Sequence, residues 1–417
     1  MIAELCERFG IEGRLREAAL AAYERVRAFD YDAQRRVHVN VLQAFIDEGI
    51  VESDLAGTTG YGYDDDGRAR YESLLARVLG AERALARLSI VSGTHAIVAA
   101  IAACTPVGKT LLSISGRPYD TLANAICDAP HALVSQGLDY REIALEDSGG
   151  IDLGALETAL AERPDATIFI QRSRGYAPRR SLSVAQCERA ITAVKRVAPK
   201  ALVLVDNCYG ELVEEREPTH AGADLVMGSL IKNLGGSFAL AGAYVAGEAR
   251  LVERVAARLY APGLGGAVGP TLDTSRGLFQ GLFIAPSIVE QSLRGLDFTA
   301  ALFEALGYGV DPKSGERRTD IVQAIRLGSP ELLRRFAAGL QRAMPVNARF
   351  RPEPGKVPGY REPVLMSSGA FVSGATIELS CDAPMRPPFE VYLQGGVSLA
   401  HAYLGSLFAA RECGAAR

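Results

Sequence analysis

Tryptophan is absent from the chain, and histidine occurs only five times, at positions 38, 95, 131, 220 and 401, never at metal-ligand spacing. A structural zinc is therefore not expected. The seven cysteines include no CxxC and no close pairing pattern, which fits free thiols in a reducing cytoplasm. Charge of one sign is lacking too. The net charge is −4, with lysines and arginines spread along the sequence, so neither a nucleic-acid surface nor a polybasic membrane patch is expected. Long apolar runs are also missing. The most apolar stretch, "LSIVSGTHAIVAAIAAC", is broken by Ser92, Gly93, Thr94 and His95 and is too interrupted for a membrane span. The N-terminal "MIAELCERFGIEGRLREAALAAYERVRAF" has the charged amphipathic pattern of a helix rather than a signal peptide. The expected setting is the cytoplasm, with a small molecule as partner and neither nucleic acid nor membrane.

What is present is enough apolar residue, 48% of 417, for a large core and two structural domains. From about residue 85 to 260, β-rich runs ("LSIVSG", "TLLSIS", "ATIFIQRS", "ALVLVDN", "DLVMGSL", "GAYVAG") alternate with helical patterns. Continuous apolar strands separated by helices imply an α/β fold with a mostly parallel sheet covered on both faces. The Pro- and Gly-rich tail from about 350, with its β-like runs and a last helical stretch, reads as a smaller α+β domain. A helical pattern over about 270–300 connects the two. The expected organisation is an N-terminal helical segment and arm over 1–60, a large domain over 61–297 and a small one over 298–417.

In such a sheet, ligands bind beyond the carboxyl ends of the strands. The residues at those ends are Ser92-Gly93-Thr94, Gly116 to Tyr119, Arg172 and Ser173, Asp206, then Ser229 and Lys232. Together they offer a phosphate-sized turn at a helix start, an aromatic, a carboxylate and a lysine. Pyridoxal phosphate requires that set: a lysine for the Schiff base, a carboxylate to keep the pyridine nitrogen protonated, backbone amides for the phosphate, and a ring to stack. Singly, each has a blander reading. Lys232 alone is an ordinary strand-end lysine, Asp206 a turn former, "SGTHA" a plain strand-to-helix turn and Tyr119 a core aromatic. The ordered combination is what carries weight. Other local patterns do not. "TPVGKT" would need a glycine at Ala103 to be a phosphate-binding loop, and "GLGGAVG" has the wrong spacing for a dinucleotide fingerprint. The "DDD" at 64 to 66 is followed by no cation-loop pattern.

The segments "LVLVDNCYGELVEEREPTHAGADLVMGSLIKNLGGSFALAGAYVAG", "TTGYGYDDDGR", "SGTHAI", "SGRPYDTL", "QRSRGYAPRRSL" and "IELSCDAPMRPPFEVYLQGG" run in order from about 40 to 400. Through them the chain resembles the methionine γ-lyase-like, or aluminium-resistance, group of fold-type-I pyridoxal-phosphate enzymes, related to the cystathionine γ-synthase/γ-lyase class. The resemblance implies the aspartate-aminotransferase fold and assigns roles. Lys232 would carry the Schiff base and move protons, Asp206 would partner the pyridinium, and Tyr119 would stack on the ring and share in catalysis. Ser92, Gly93, Thr94, Ser229 and Arg172 would join them around the cofactor. Tyr61 and Tyr63 would reach the phosphate of a neighbouring subunit, giving a homodimer or homotetramer with shared sites. Arg386 would bind the substrate carboxylate. Leu234 stands where the group commonly has proline. The implied reaction is elimination of a γ leaving group, a thiol or another group such as a halide or ester, from an amino acid. The alternatives are β-elimination or transamination on the same cofactor, or a non-catalytic pyridoxal-phosphate-binding regulator.

Overall fold

Apolar strands alternating with helices build a seven-stranded sheet in the computed structural model, which describes residues 1–415. Helices α1 (Ile2–Arg8), α2 (Gly13–Val26), α3 (Asp32–Glu48) and α4 (Asp66–Leu79) come first. Then follow β1 (Arg83–Arg87), α5 (Gly93–Cys104), β2 (Thr110–Ser113), the short α6 (Asp120–Ala123), β3 (Asp139–Glu142) and α7 (Leu153–Glu162). The domain continues with β4 (Thr167–Gln171), α8 (Val184–Val197), β5 (Val203–Asp206), β6 (Leu225–Ser229), β7 (Ala243–Gly247) and α9 (Ala249–Leu259). In space the strands run β1-β7-β6-β5-β4-β2-β3. Strands β6 to β3 are mutually parallel, while β7 and β1 close the other edge antiparallel. Every residue of β2, β4, β5, β6 and β7 is buried, as expected of strands covered on both faces.

One strand lies elsewhere than expected. "LSIVSG" is a connection, and the strand is the preceding "RALAR", paired from Arg83↔Gly247 to Arg87↔Ala243. Arg87 is buried at its end because Glu72 takes its guanidinium and the Gly266 carbonyl accepts from Nη2 at 2.8 Å. A satisfied arginine thus ends a core strand, where hydrophobicity alone places the strand too late. Strand β3 escaped notice because "DYRE", on the sheet edge, is only partly buried.

The 31-residue α10 (Ser275–Ala305) runs without interruption through the boundary expected at 297–298. Beyond it lie β8 (Gly309–Asp311), β9 (Val322–Arg326), α11 (Pro330–Gln341), β10 (Val364–Ser368), β11 (Ser380–Pro384), β12 (Glu390–Gln394) and α12 (Leu399–Ala410). These five strands form an antiparallel sheet in the order β10-β11-β12-β9-β8. The N-terminal helices pack onto this half. The Tyr31 hydroxyl donates to Asp297 of α10 at 2.6 Å, and Phe9 meets Phe408 of α12 edge-on at 5.6 Å. Burying one such phenyl ring contributes roughly 1.5–3 kcal/mol. All seven cysteines are free. Among the described residues, no helix is long and apolar enough to cross a membrane, and no cluster of three ligating side chains is arranged for a metal.

Candidate active site

Three neighbouring strands end together. Gln171 of β4 pairs with Asp206 of β5, and Asp206 pairs with Met227, two residues before β6 ends at Ser229. Helix α5 starts against this edge. Its cap, Ser92, is extended and accepts from the His95 amide at 3.1 Å. The first-turn amides of Gly93 and Thr94 have no intrahelical acceptor and stand at the positive end of a 12-residue helix. Position 93 is tightly enclosed. A Cβ there would lie 3.2 Å from Cys208 Sγ and 3.6 Å from Ser229 Cβ. The close approach sets these amides beside the Ser229 hydroxyl, a cradle suited to a phosphate.

Lys232 follows β6 in a non-helical conformation, and a tight turn over 233–235 holds it. Asn233 staples that turn to the loop after β5, donating to the Tyr209 carbonyl at 3.0 Å and the Glu211 carbonyl at 2.8 Å. The Lys232 amine consequently lies 3.8 Å from the centre of the Tyr209 ring. Burial would push this amine down, but the acidic groups around it, Cys208, Tyr209, Asp206 and Tyr119, outweigh that and hold it protonated. Burial raises the carboxyl of Asp206 above the usual carboxylate range, and the Lys232 charge opposes the rise. Its Oδ1 accepts from the Cys208 amide at 3.1 Å. Tyr119 is positioned by Gln171, whose Oε1 accepts from the Tyr119 amide at 2.8 Å, and its hydroxyl lies 2.6 Å from Thr94 Oγ1. Burial raises the phenol well above its ordinary value, so at neutral pH it is held as the neutral phenol.

The structure thus brings together Gly93, Thr94, Tyr119, Asp206, Ser229 and Lys232. Ser92 serves as the helix cap. Arg172, expected at the cofactor, is not among them. Side chains alternate along a strand, and Arg172 follows Gln171, so it faces away from the side that Gln171 and Asp206 share. Its guanidinium donates to Asn207 Oδ1 at 2.8 Å and the Gly210 carbonyl at 2.9 Å, and pairs with Glu214 at 2.5 Å, all buried. Arg386, expected to take the substrate carboxylate, already bonds two carboxylates of the chain, Asp120 at 3.2 Å and Glu362 at 3.1 Å. Tyr61 and Tyr63 are 74% and 56% exposed. Their loop is nevertheless pinned, because Gly269 donates to the Tyr61 carbonyl at 2.9 Å and Arg68 donates to the Gly62 carbonyl at 2.6 Å.

Sequence reasoning missed two features. Tyr209 sits three residues after Asp206 with φ of 70°, a rare conformation for a bulky residue. The signal available for it was the turn "DNCYG". The small domain contributes the second feature. Tyr176 lies parallel to Tyr392 at 5.5 Å and near Tyr360 at 5.4 Å, and its hydroxyl donates to Asp382 Oδ2 at 2.6 Å. Burial raises Asp382, and the Lys232 charge is among the influences that lower it. These residues come from separate segments, and only tertiary packing assembles them.

The cluster fits pyridoxal phosphate on its own terms. It has a tight cradle of helix amides beside a serine, a buried carboxylate, a lysine and a tyrosine held between cradle and carboxylate. Comparison with known proteins agrees. Residues 14–413 match the methionine gamma-lyase family model. The YnbB protein of Bacillus subtilis is 41% identical over 365 residues, 87% of this chain and 86% of that one. A solved structure of a protein involved in aluminum resistance from Clostridium acetobutylicum is 39% identical with a TM-score of 0.94, covering 98% of each chain. A carbon-sulfur lyase involved in aluminum resistance from Clostridium novyi is 37% identical, with a TM-score of 0.92 over 98% of this chain and 97% of that one. The fold is that of fold-type-I pyridoxal-phosphate enzymes, and the chain belongs to the methionine gamma-lyase family of pyridoxal-phosphate-dependent lyases.

Proposed function

We propose that this lyase eliminates a thiol from the γ carbon of an α-amino acid. The observation that carries the reading is the placement of one lysine amine, Lys232, among Asp206, Tyr209 and Tyr119 at the mouth of a phosphate cradle, in a chain that matches the γ-lyase family over nearly its whole length. Gly93, Thr94 and Ser229 would hold the phosphate, Asp206 the ring nitrogen, and Lys232 the aldehyde carbon. Bound there, the cofactor supplies an electron sink for negative charge developing on substrate carbon. The protein's own groups do the rest. The Lys232 amine would be the base for the proton on Cα and would then carry a second proton from Cβ. Tyr119, kept a neutral phenol by burial, is the acid available to the departing group. A halide or ester oxygen at Cγ would leave by the same electron flow. Sharing of each site between two subunits of a homodimer, or of a dimer of dimers, belongs to this reading, as does a cytoplasmic location.

Cystathionine is the discriminating substrate. Cleavage of its Cγ–S bond releases cysteine, ammonia and a four-carbon keto acid. Cleavage of its Cβ–S bond releases homocysteine, ammonia and pyruvate, and transamination frees neither thiol nor ammonia. The four-carbon keto acid is the expected product, with Lys232→Ala as the blank. Pyruvate as the major product would replace γ- with β-elimination.

A further inference from the structure

Around the carboxyl end of β4 the chain gathers arginines and gives nearly all of them a carboxylate. A cleft of about 650 Å³ there is lined by Arg117, Arg174, Arg179, Arg180 and Arg326 among others. Arg117 pairs with Asp128 at 3.0 Å, Arg180 with Asp311 at 3.3 Å, Arg326 with Glu390 at 3.0 Å, and Arg174 also with Asp311. Arg386 and Arg172, the two arginines that sequence reasoning favoured, are likewise paired. Arg179 is the exception, having no carboxylate partner among the described residues. Its Nη2 is held by two main-chain carbonyls, of Gln171 at 3.1 Å and Ser173 at 2.6 Å. Its Nε and Nη1 are buried with no acceptor. Buried guanidinium donors left unmet are costly, and the chain meets them at every neighbouring arginine. Burial draws Arg179 down to about 10, so it remains charged at neutral pH.

Its position is as telling as its vacancy. The carbonyl that fixes Arg179 belongs to Gln171, the residue paired with Asp206 and bonded through its side chain to the amide of Tyr119. In the same loop, a Cβ on Gly175 would lie 3.1 Å from Tyr119 Cβ. The guanidinium is therefore at the edge of the site, and Asp206 feels its charge. It is not on the phosphate side. The cradle belongs to β6 and α5, and strand order puts β5 between β6 and β4. Asp320, from the loop before β9 in the small domain, is bonded by Ser173 at 2.7 Å, so the small domain closes over this side.

We infer that Arg179 receives the α-carboxylate of the substrate, through Nε and Nη1, and that Arg386 is instead a structural clasp between Asp120 and Glu362. The inference rests on the lyase reading for the identity of the substrate as an amino acid, but its test is equilibrium binding and does not depend on turnover. L-norvaline has a γ carbon with no leaving group, and its carboxamide differs only in lacking the carboxylate. Each is titrated into the cofactor-loaded protein and followed by the visible absorption change. The wild type should prefer norvaline on the order of 10- to 100-fold, the range of charge-assisted hydrogen bonds. Arg179→Gln should abolish the preference by weakening norvaline alone, with the affinity for the carboxamide and the cofactor content unchanged. Arg386→Gln should keep the preference. If Arg179→Gln does not fold, Arg179→Lys carries the same comparison, since an ammonium on a different stem cannot reproduce the planar donor set and should lose most of the preference. The inference is overturned by a wild type that ignores the carboxylate, by a preference that survives loss of Arg179 or vanishes with Arg386, or by equal weakening of both ligands. Loss of cofactor in Arg179→Gln would overturn it too, assigning the arginine to the cofactor. A preference kept by a protein that cleaves no γ-substituted amino acid would defeat the lyase reading alone.

Discussion

The amine of Lys232 lies over the face of Tyr209, 3.8 Å from the ring centre. A cation over an aromatic face is stabilised as a cation, by about 0.5–2 kcal/mol in partly desolvated sites. Removing the ring should make the amine easier to deprotonate. Tyr209→Leu is therefore expected to shift the pH profile of pyridoxal-phosphate capture by the apoprotein to lower pH, by about 0.5–1 unit. Tyr209→Phe, which keeps the ring but loses the phenol counted among the acidic groups around the amine, should fall between the wild type and the Leu variant. Capture trapped by borohydride at a series of pH values measures both, and coincident wild-type and Leu profiles would show that the ring does not tune the amine.

Asp206 is a buried carboxylate whose Oδ1 accepts from the Cys208 amide. Its Oδ2 would be the acceptor for a pyridine nitrogen. A charged acceptor there would hold the ring protonated by a charge-assisted bond, which an amide cannot do as well. Asp206→Asn should retain the cofactor yet lower kcat on the order of 100-fold, the scale seen when one preorganised electrostatic partner is lost. Near-wild-type kcat in a variant with full cofactor content would remove Asp206 from this role.

A second buried acid lies behind the site. Glu211 Oε1 accepts from the Tyr244 hydroxyl at 3.0 Å, Oε2 is buried without a partner, and burial pushes the carboxyl up to about 8. Over the window from its ordinary value near 4.5 to about 8, the folded chain keeps a proton that the unfolded chain has released. Stability from this group therefore falls as pH rises through that window and levels off above it. Glu211→Gln cannot ionise and should not show this slope. The unfolding free energy of the wild type, measured relative to the variant, should drop by on the order of 2 kcal/mol between about pH 6 and pH 8. Parallel stability curves would mean that Glu211 is not protonated in the folded protein at pH 6.

How much of this was legible follows from where each residue gets its position. Gly93, Asp206, Ser229 and Lys232 each end or follow an apolar run, and parallel strands bring their ends to one edge whatever else the chain does, so these four could be read from pattern alone. Arg172 satisfied the same rule and was misplaced, because the rule ignores the two-residue alternation that turns it toward Glu214. Strand β1 was misplaced because Arg87 is buried by virtue of Glu72, a partner fifteen residues away that hydrophobicity does not reveal. Tyr176 stacks on Tyr392 and bonds Asp382 only because the small sheet packs against the loop after β4, and no local signal encodes that. Arg179 and Arg386 look alike in sequence. What separates them is that Asp120 and Glu362 reach one and, among the described residues, no carboxylate pairs with the other.

The loop "TTGYGYDDDGR" supports a test of assembly. Tyr61 and Tyr63 are exposed, with ring centres 5.6 Å apart, on a backbone fixed by Arg68 and Gly269. Gly62 has φ of 62°, and a Cβ there would strike Pro270 at 2.7 Å, so the turn between the two rings requires glycine. Two exposed tyrosines on a rigid loop suit a partner surface, where the rings pack and the hydroxyls bond. A two-fold dimer would place each loop at the other subunit's site. On this reading, Tyr61→Phe or Tyr63→Phe weakens cofactor retention more than it lowers the melting temperature. Mixing gives the sharper measurement. A Lys232→Ala subunit has an intact loop and no catalytic amine, whereas a subunit altered at both Tyr61 and Tyr63 has the amine and a damaged loop. Each homodimer should be nearly inactive. A hybrid has one site built from the good loop of the first subunit and the lysine of the second. Random exchange makes about half of all dimers hybrids, so activity should return to roughly a quarter of the wild-type value per site if the dimer is the functional unit. No return of activity, with exchange demonstrated by mass spectrometry of the mixed assembly, would place the whole site within one chain.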